Sequence, residues 1–247
     1  MTLEAYFTTS KQLRYSLLFA FPLLLLYEGL TALLSHSAVA GVRNGADVLL
    51  KTVFLSLGGR GGLVVFGLLF LGIGGWLVWK DHRARARPLN HRIFGGMIVE
   101  SLIYAALFGQ TVALLTAWLL QGGPTLLSTA VQGPVATLPL GTQLVVSLGA
   151  GIYEELLFRV LLVSGLLAVG LRMGWSRRVA VGVAVIASAL IFSAFHYIGP
   201  YGDQLTTPSF TFRAIAGVLL SGLYVLRGFG ITAWTHALYD VGLSVLG

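Results

Sequence analysis

The chain of 247 residues is 56% hydrophobic and only 10% charged, and its mean hydropathy of +0.86 excludes an ordinary soluble globular protein. Cysteine is absent, which excludes disulfides and thiolate metal sites. The formal charge of +7 is more typical of cytoplasmic loops and anionic lipid contacts than of nucleic-acid binding in a chain this apolar. Because its apolar runs reach the length of a spanning helix, we predict an all-α polytopic membrane protein.

The N-terminal part, residues 1–139, is predicted to supply membrane helices. Spans are expected at residues 13–34, 63–79 and 93–120, and the first and third contain Glu28 and Glu100. Residues 47–57 are apolar on one side, carry Lys51 and are too short to cross a bilayer, so we interpret them as an interfacial amphipathic helix. If the segment 42–57 inserts instead, the bundle has eight spans rather than seven. An uncharged loop at 121–139 is typical of an extracytoplasmic segment.

Residues 140–247 are predicted to form the remaining four spans, at 140–171, 179–197, 210–226 and 231–246. We expect both parts to form one integrated membrane domain. The loop charges predict a cytoplasmic N-terminus, because eleven of the 16 Lys and Arg fall on one side, four on the other, and Arg159 within a span. The eleven are Lys11, Arg14, Lys80, Arg83, Arg85, Arg87, Arg92, Arg172, Arg177, Arg178 and Arg227, and the four are Arg43, Lys51, Arg60 and Arg213.

Three ionisable residues, Glu154, Glu155 and Arg159, interrupt the apolar run of the fourth span. Charged groups inside a membrane are costly and by default mark a functional site. Glu155 and Arg159 stand at i and i+4, so they share a helix face and can pair, which leaves Glu154 free. The alternative is that both acids only tie this helix to Arg159 or to a neighbouring helix.

Two later spans each contain a histidine and, four residues away on the same helix face, an aromatic or acidic residue. His196 follows Phe192 by four residues, and His236 precedes Asp240 by four. Because buried polar groups need partners, we expect these side chains to meet the double glutamate. On straight helices, however, His196 and His236 are expected at different depths.

The residue types favour hydrolysis by activated water. A desolvated glutamate can take a proton from water, and a histidine can hold that water or stabilise an oxyanion, whereas no serine, cysteine or lysine is clearly placed as a nucleophile. A divalent metal such as zinc, held by Glu154, His196 and His236, is the alternative, although no HExxH spacing is present.

The ordered motifs Glu-Glu-x-x-x-Arg, Phe-x-x-x-His and His-x-x-x-polar resemble the CPBP family of intramembrane proteases, which includes type II CAAX prenyl endopeptidases and bacterial Abi proteins. The resemblance implies that residues 140–247 are a catalytic membrane core in which Glu154 activates the water with His196. It further implies that His236 and position 240 stabilise the oxyanion, and that Glu155 and Arg159 hold the helix in register. Asp240 departs from the usual Asn, so it is either protonated, or orients His236, or binds metal.

The resemblance implies an endopeptidase that cleaves membrane-anchored or lipidated proteins near their C-termini. From the composition and the loop charges we expect a multi-pass protein of the cell (inner) membrane that contacts the lipid bilayer and does not bind nucleic acid. The charge-derived topology would place the site toward the outer half of the membrane. Two other classes stay open: a proton-coupled transporter that uses the same carboxylates, and a non-catalytic membrane or immunity protein.

Overall fold

The computed structural model describes residues 2–34, 43–85, 88–121, 134–199 and 202–246, which form eight helices and no strand. Most of the predicted extracytoplasmic loop (residues 122–133), position 42 and the last two residues of the basic run at 80–87 lie outside the described residues. The predicted all-α class is confirmed, because the described residues include five helices long and apolar enough to cross a membrane. These are Leu13–Leu34, Gly45–Arg85, His91–Leu119, Arg177–Phe195 and Thr207–Arg227.

The helices are numbered here in chain order. They are α1 (Leu3–Ser10), α2 (Leu13–Leu34), α3 (Gly45–Arg85), α4 (His91–Leu119), α5, α6 (Arg177–Phe195), α7 (Thr207–Arg227) and α8 (Phe229–Leu246). Helix α5 joins three successive segments, an α-helix at Leu140–Gly149, a π-helix at Ala150–Val163 and an α-helix at Ser164–Arg172. A short 3₁₀ turn at Pro134–Thr137 precedes it. All seven predicted spans are helical, and the ends of the last three differ from prediction by at most three residues.

Helix α3 reverses direction at a pair of glycines. Gly58 has a φ of −156° and Gly59 a φ of 55°, the second being a left-handed conformation that favours glycine. After the reversal, Gly62 lies directly against the backbone of Phe54, and the rings of Phe54 and Phe66 are 5.1 Å apart. The predicted amphipathic helix at 47–57 is therefore a helix that folds back on the second span.

Helix α8 lies at the centre of the bundle, packed against α2, α4, α5 and α7. Its small residues allow this close packing, since Ala233 and Ala237 are fully buried beside Tyr27 and Ile152 in the main core cluster. The first half of α8, from Phe229 to Ala237, is almost entirely buried, whereas Leu243, Val245 and Leu246 near its end are exposed. The buried half of α8, which contains His236, is therefore enclosed by several neighbouring helices.

Basic residues from distant parts of the sequence meet at one end of the bundle. Arg227, at the end of α7, makes two hydrogen bonds to Glu100 of α4, at 2.6 and 2.8 Å. Lys11 donates to a backbone carbonyl of α7 at 3.0 Å. Burial and the neighbouring Glu100 raise the pKa of Tyr6, which keeps its hydroxyl as a donor to that carboxylate at 2.7 Å. Helix α1 is thus fixed beside the first half of α4 and the end of α7.

Candidate active site

The π-helical segment of α5 carries the first three predicted site residues. Glu154, Glu155 and Arg159 all lie within Ala150–Val163 and are buried. π-Helical segments are rare and are frequently found at functional sites. Adjacent residues on such a helix point in different directions, so Glu154 and Glu155 contact different partners.

Glu154 faces helix α6 and the residue that precedes α3. Its Oε1 accepts a hydrogen bond of 2.7 Å from Asn44 Nδ2. Its Oε2 has no hydrogen-bond partner among the described residues and lies 4.0 Å from Nε2 of His196. The opposite ring nitrogen of His196, Nδ1, is 2.8 Å from the backbone carbonyl of Phe192. Because a carbonyl only accepts, Nδ1 carries the proton, and Nε2 of the neutral ring is an acceptor.

Glu155 joins two other predicted site residues. Its Oε1 lies 2.6 Å from Nδ1 of His236 and 3.1 Å from Nη1 of Arg159. The arginine contact is an ion pair without the angle of a hydrogen bond, and the guanidinium stacks on the ring of Phe192 at 4.4 Å. Both Glu155 and Arg159 have 0% exposure, so the i and i+4 pair predicted from the sequence is formed in the interior of the bundle.

Asp240 lies beside the outer nitrogen of His236. Its Oδ2 is 3.4 Å from Nε2, which is long for a hydrogen bond and is instead an electrostatic contact. The side chain of Asp240 is 26% exposed and that of His196 is 15% exposed. These two side chains are therefore the most exposed of the six predicted site residues.

The structure brings all six predicted site residues into one group, although straight parallel helices would place the two histidines at different depths. The ends of the last three helices agree with prediction to within three residues, so an error in their bounds does not account for the difference. The rings of Phe192 and His236 are only 6.2 Å apart, which shows directly that α6 and α8 meet at this level.

Two glycines of α5 permit this convergence. A Cβ on Gly151 would lie 2.5 Å from Cβ of Ala237 and 2.6 Å from the carbonyl oxygen of Ala233, both on α8. A Cβ on Gly149 would lie 2.6 Å from Cβ of Asn44. These distances are shorter than any ordinary contact between heavy atoms, so α8 and Asn44 reach the glutamates only because both positions are glycine.

Asn44 is the main contact that the sequence did not predict. It is 3% exposed, and its Oδ1 accepts from the backbone N–H of Ala46 at 2.9 Å, at the beginning of α3. An Asn-Gly pair before an apolar helix is a typical helix start, so the local role was predictable. Its contact with a carboxylate 110 residues away was not.

A polar network lies beside the site on α2 and α3. Lys51 Nζ lies 2.8 Å from Glu28 and 2.7 Å from Asp47. Tyr27 donates to Asp47 at 2.6 Å, and Tyr153, the residue before Glu154, donates to Glu28 at 2.5 Å. Glu28 thus ties α2 to α3 and to the site-bearing segment of α5.

The donor groups of the site do not match a metal centre. In the described part of the chain, no group of three or more His, Cys, Asp or Glu side chains has the geometry to hold a metal ion. Glu154 and His196 face each other, whereas His236 is directed to Glu155 and Asp240. The predicted alternative set of Glu154, His196 and His236 therefore does not converge on one point, and no step below passes through a metal.

The fold and the buried charged site define an integral membrane protein with polar chemistry between its helices. Residues 135–242 match the family model described as Type II CAAX prenyl endopeptidase Rce1-like, which confirms the resemblance. The match contains every predicted site residue, from Glu154 to Asp240. This is a family of proteases that act on membrane-anchored proteins, so the match supports peptidase activity. No curated protein and no solved structure gives a significant match to the chain.

Proposed function

We propose that this protein is an intramembrane endopeptidase that hydrolyses a peptide bond near the C-terminus of a membrane-anchored or lipidated protein, using water activated by Glu154. The observation that supports this most is the pair of acceptors formed by Glu154 Oε2 and His196 Nε2, which are 4.0 Å apart. Both atoms belong to mostly buried side chains, and neither atom has a hydrogen-bond partner among the described residues.

This separation suits one water molecule. A water at about 2.8 Å from both atoms makes an angle of roughly 90° between them, close to its own H–O–H angle. Since Glu154 Oε2 and His196 Nε2 are both acceptors, the water donates both of its hydrogens to them. Its lone pairs then face outward, toward a substrate carbonyl. Asn44, by donating to Oε1, fixes which carboxylate oxygen faces His196.

The proposed reaction balances with groups present in the site. The water oxygen attacks the carbonyl carbon, and its proton passes to Glu154, which acts as general base. The resulting tetrahedral oxyanion collapses, the C–N bond breaks, and Glu154 returns the proton to the leaving amine. The products are a new carboxylic acid, which keeps the second hydrogen of the water, and a new amine, and no covalent enzyme intermediate forms.

We assign stabilisation of the oxyanion to His236. Its Nδ1 is committed to Glu155, so Nε2 is the nitrogen that can donate to the oxyanion when it also carries a proton. Asp240, 3.4 Å from Nε2, is close enough to orient the ring. Of the three roles left open for Asp240, orientation of His236 fits this geometry best.

We also propose that the N-terminus is cytoplasmic in the cell membrane. Lys11, which directly follows α1, and Arg227, at the end of α7, lie at one end of the bundle, which is the arrangement expected for a cytoplasmic face. His196, at the end of α6, then lies toward the opposite face.

The test is a comparison of membrane-protein termini in cells that express either the wild-type chain or Glu154→Gln. We expect a set of new C-termini that appears only with the wild type and is absent equally with His196→Ala or His236→Ala. Because these residues act as a unit, combining the three changes should cost hardly more than any one of them. Identical termini in wild-type and Glu154→Gln cells would refute the proposal.

A further inference from the structure

Arg213 of α7 is a charged residue next to the site that the mechanism above does not use. Its Nη2 donates to Asp203 at 2.7 Å, and the backbone N–H of Asp203 donates to the carbonyl of His196 at 2.8 Å. The beginning of α7 is fixed to α6 by a further hydrogen bond of 2.7 Å, from Ser193 to the carbonyl of Phe210. Asp203 therefore connects the guanidinium of Arg213 to the backbone of His196.

Arg213 also differs from the other arginine of the site in accessibility. The charge of Arg213 acts on His196 and Asp240, and that of Arg159 acts on Glu154. Arg159, however, is fully buried behind Glu155, whereas the side chain of Arg213 is 24% exposed. Of these two arginines, only Arg213 can be reached by a substrate.

The guanidinium retains unused hydrogen-bonding capacity. Its Nε is buried and has no partner among the described residues, and an arginine has five N–H donors, of which Asp203 uses one. A planar fork of this kind matches the two oxygens of a carboxylate. Asp203 holds the fork in place and balances its charge while no substrate is bound.

We propose that Arg213 binds the C-terminal carboxylate of the peptide substrate. This subsite rests on the proposed function and gives it a physical basis for acting near a chain end. A carboxylate close to the bilayer needs a cation to offset the cost of its desolvation. Segments inside a protein chain lack this group, so they lose the interaction and are cleaved more slowly.

The test uses one synthetic farnesylated CAAX peptide, made once with a free C-terminal carboxylate and once with a C-terminal amide. The purified protein in detergent is assayed on both, and the measured quantity is the ratio of kcat/KM for acid over amide. We expect a ratio of roughly 10 to 100 in the wild type, the size of one charge-assisted hydrogen bond, and a ratio near 1 in Arg213→Gln.

Two further variants make the result specific. Arg177→Gln removes a surface arginine at the opposite end of α6 and should keep the wild-type ratio. Arg213→Lys, which keeps the charge but not the fork, should give an intermediate ratio, and it serves if Arg213→Gln fails to fold. A wild-type ratio near 1, or an unchanged ratio in Arg213→Gln and Arg213→Lys, would overturn the subsite while leaving the protease intact. Cleavage of neither peptide by the wild type would instead refute the proposed function, and the subsite with it.

Discussion

The contact between α5 and α8 at Gly151 gives a quantitative prediction. Ordinary contacts between carbon atoms are about 3.5–4.0 Å. A Cβ at position 151 would lie 2.5 Å from Cβ of Ala237, so Gly151→Ala requires α8 to move away by about 1 Å. His236, the residue before Ala237, is 2.6 Å from Glu155. That distance then grows to as much as about 3.6 Å, beyond hydrogen-bonding range.

We expect Gly151→Ala to lower kcat by about 100-fold, because misplacement of a catalytic group by 1 Å has effects of this order. Overpacking should also destabilise the protein by about 1–3 kcal/mol. The assays are peptide cleavage and thermal unfolding of the purified protein in detergent.

The matched control is Gly165→Ala, in the same helix α5, where a new Cβ has nothing within 4 Å. This variant should match the wild type in both assays. Equal activity of Gly151→Ala and Gly165→Ala would show that the close approach of α8 does not position His236, and the reasoning would be wrong.

Three further predictions concern contacts around the glutamates and the orientation of the chain. Asn44→Ala should lower kcat by about 10- to 100-fold with little change in KM, since it removes a hydrogen bond to the carboxylate of Glu154. The control is Asn90→Ala, at the start of α4. Equal kcat in both variants would exclude the proposed positioning of Glu154 by Asn44. Arg159→Ala should destabilise the protein by about 3–5 kcal/mol, because it leaves Glu155 buried without its cation. Adding Glu155→Gln should restore much of the unfolding temperature, whereas an unchanged temperature in Arg159→Ala alone would show that the pair contributes nothing. A cysteine at Thr137 of this cysteine-free chain should react with a membrane-impermeant thiol reagent in intact cells, and reaction only after the inner face is exposed would reverse the proposed topology.

Much of the fold was predictable because a bilayer imposes one strong rule, that long apolar runs become helices. The convergence of His196 and His236 on the double glutamate was also predictable from a simple argument, since buried polar groups must find partners. Helical periodicity correctly paired Glu155 with Arg159.

Other features depend on packing that no local pattern contains. The π-helical form of Ala150–Val163 is not visible in a run that also fits an α-helix. Gly149 and Gly151 matter because of what lies opposite them, which the sequence of α5 alone does not specify. Asn44 reaches Glu154 through the packing of α3 on α2 and α5, so the N-terminal helices contribute more to the site than hydrophobic spans.

The most direct test of the central claim is the kcat of purified Glu154→Gln on the farnesylated peptide, compared with the wild type at equal folded concentration. Glutamine is nearly the same size and its carbonyl can still accept from Asn44, so the fold should be preserved while the base is lost. We predict a decrease of about 1,000-fold or more, in line with the loss of a general base. A kcat within tenfold of the wild type would contradict the assignment of Glu154 as the residue that activates water.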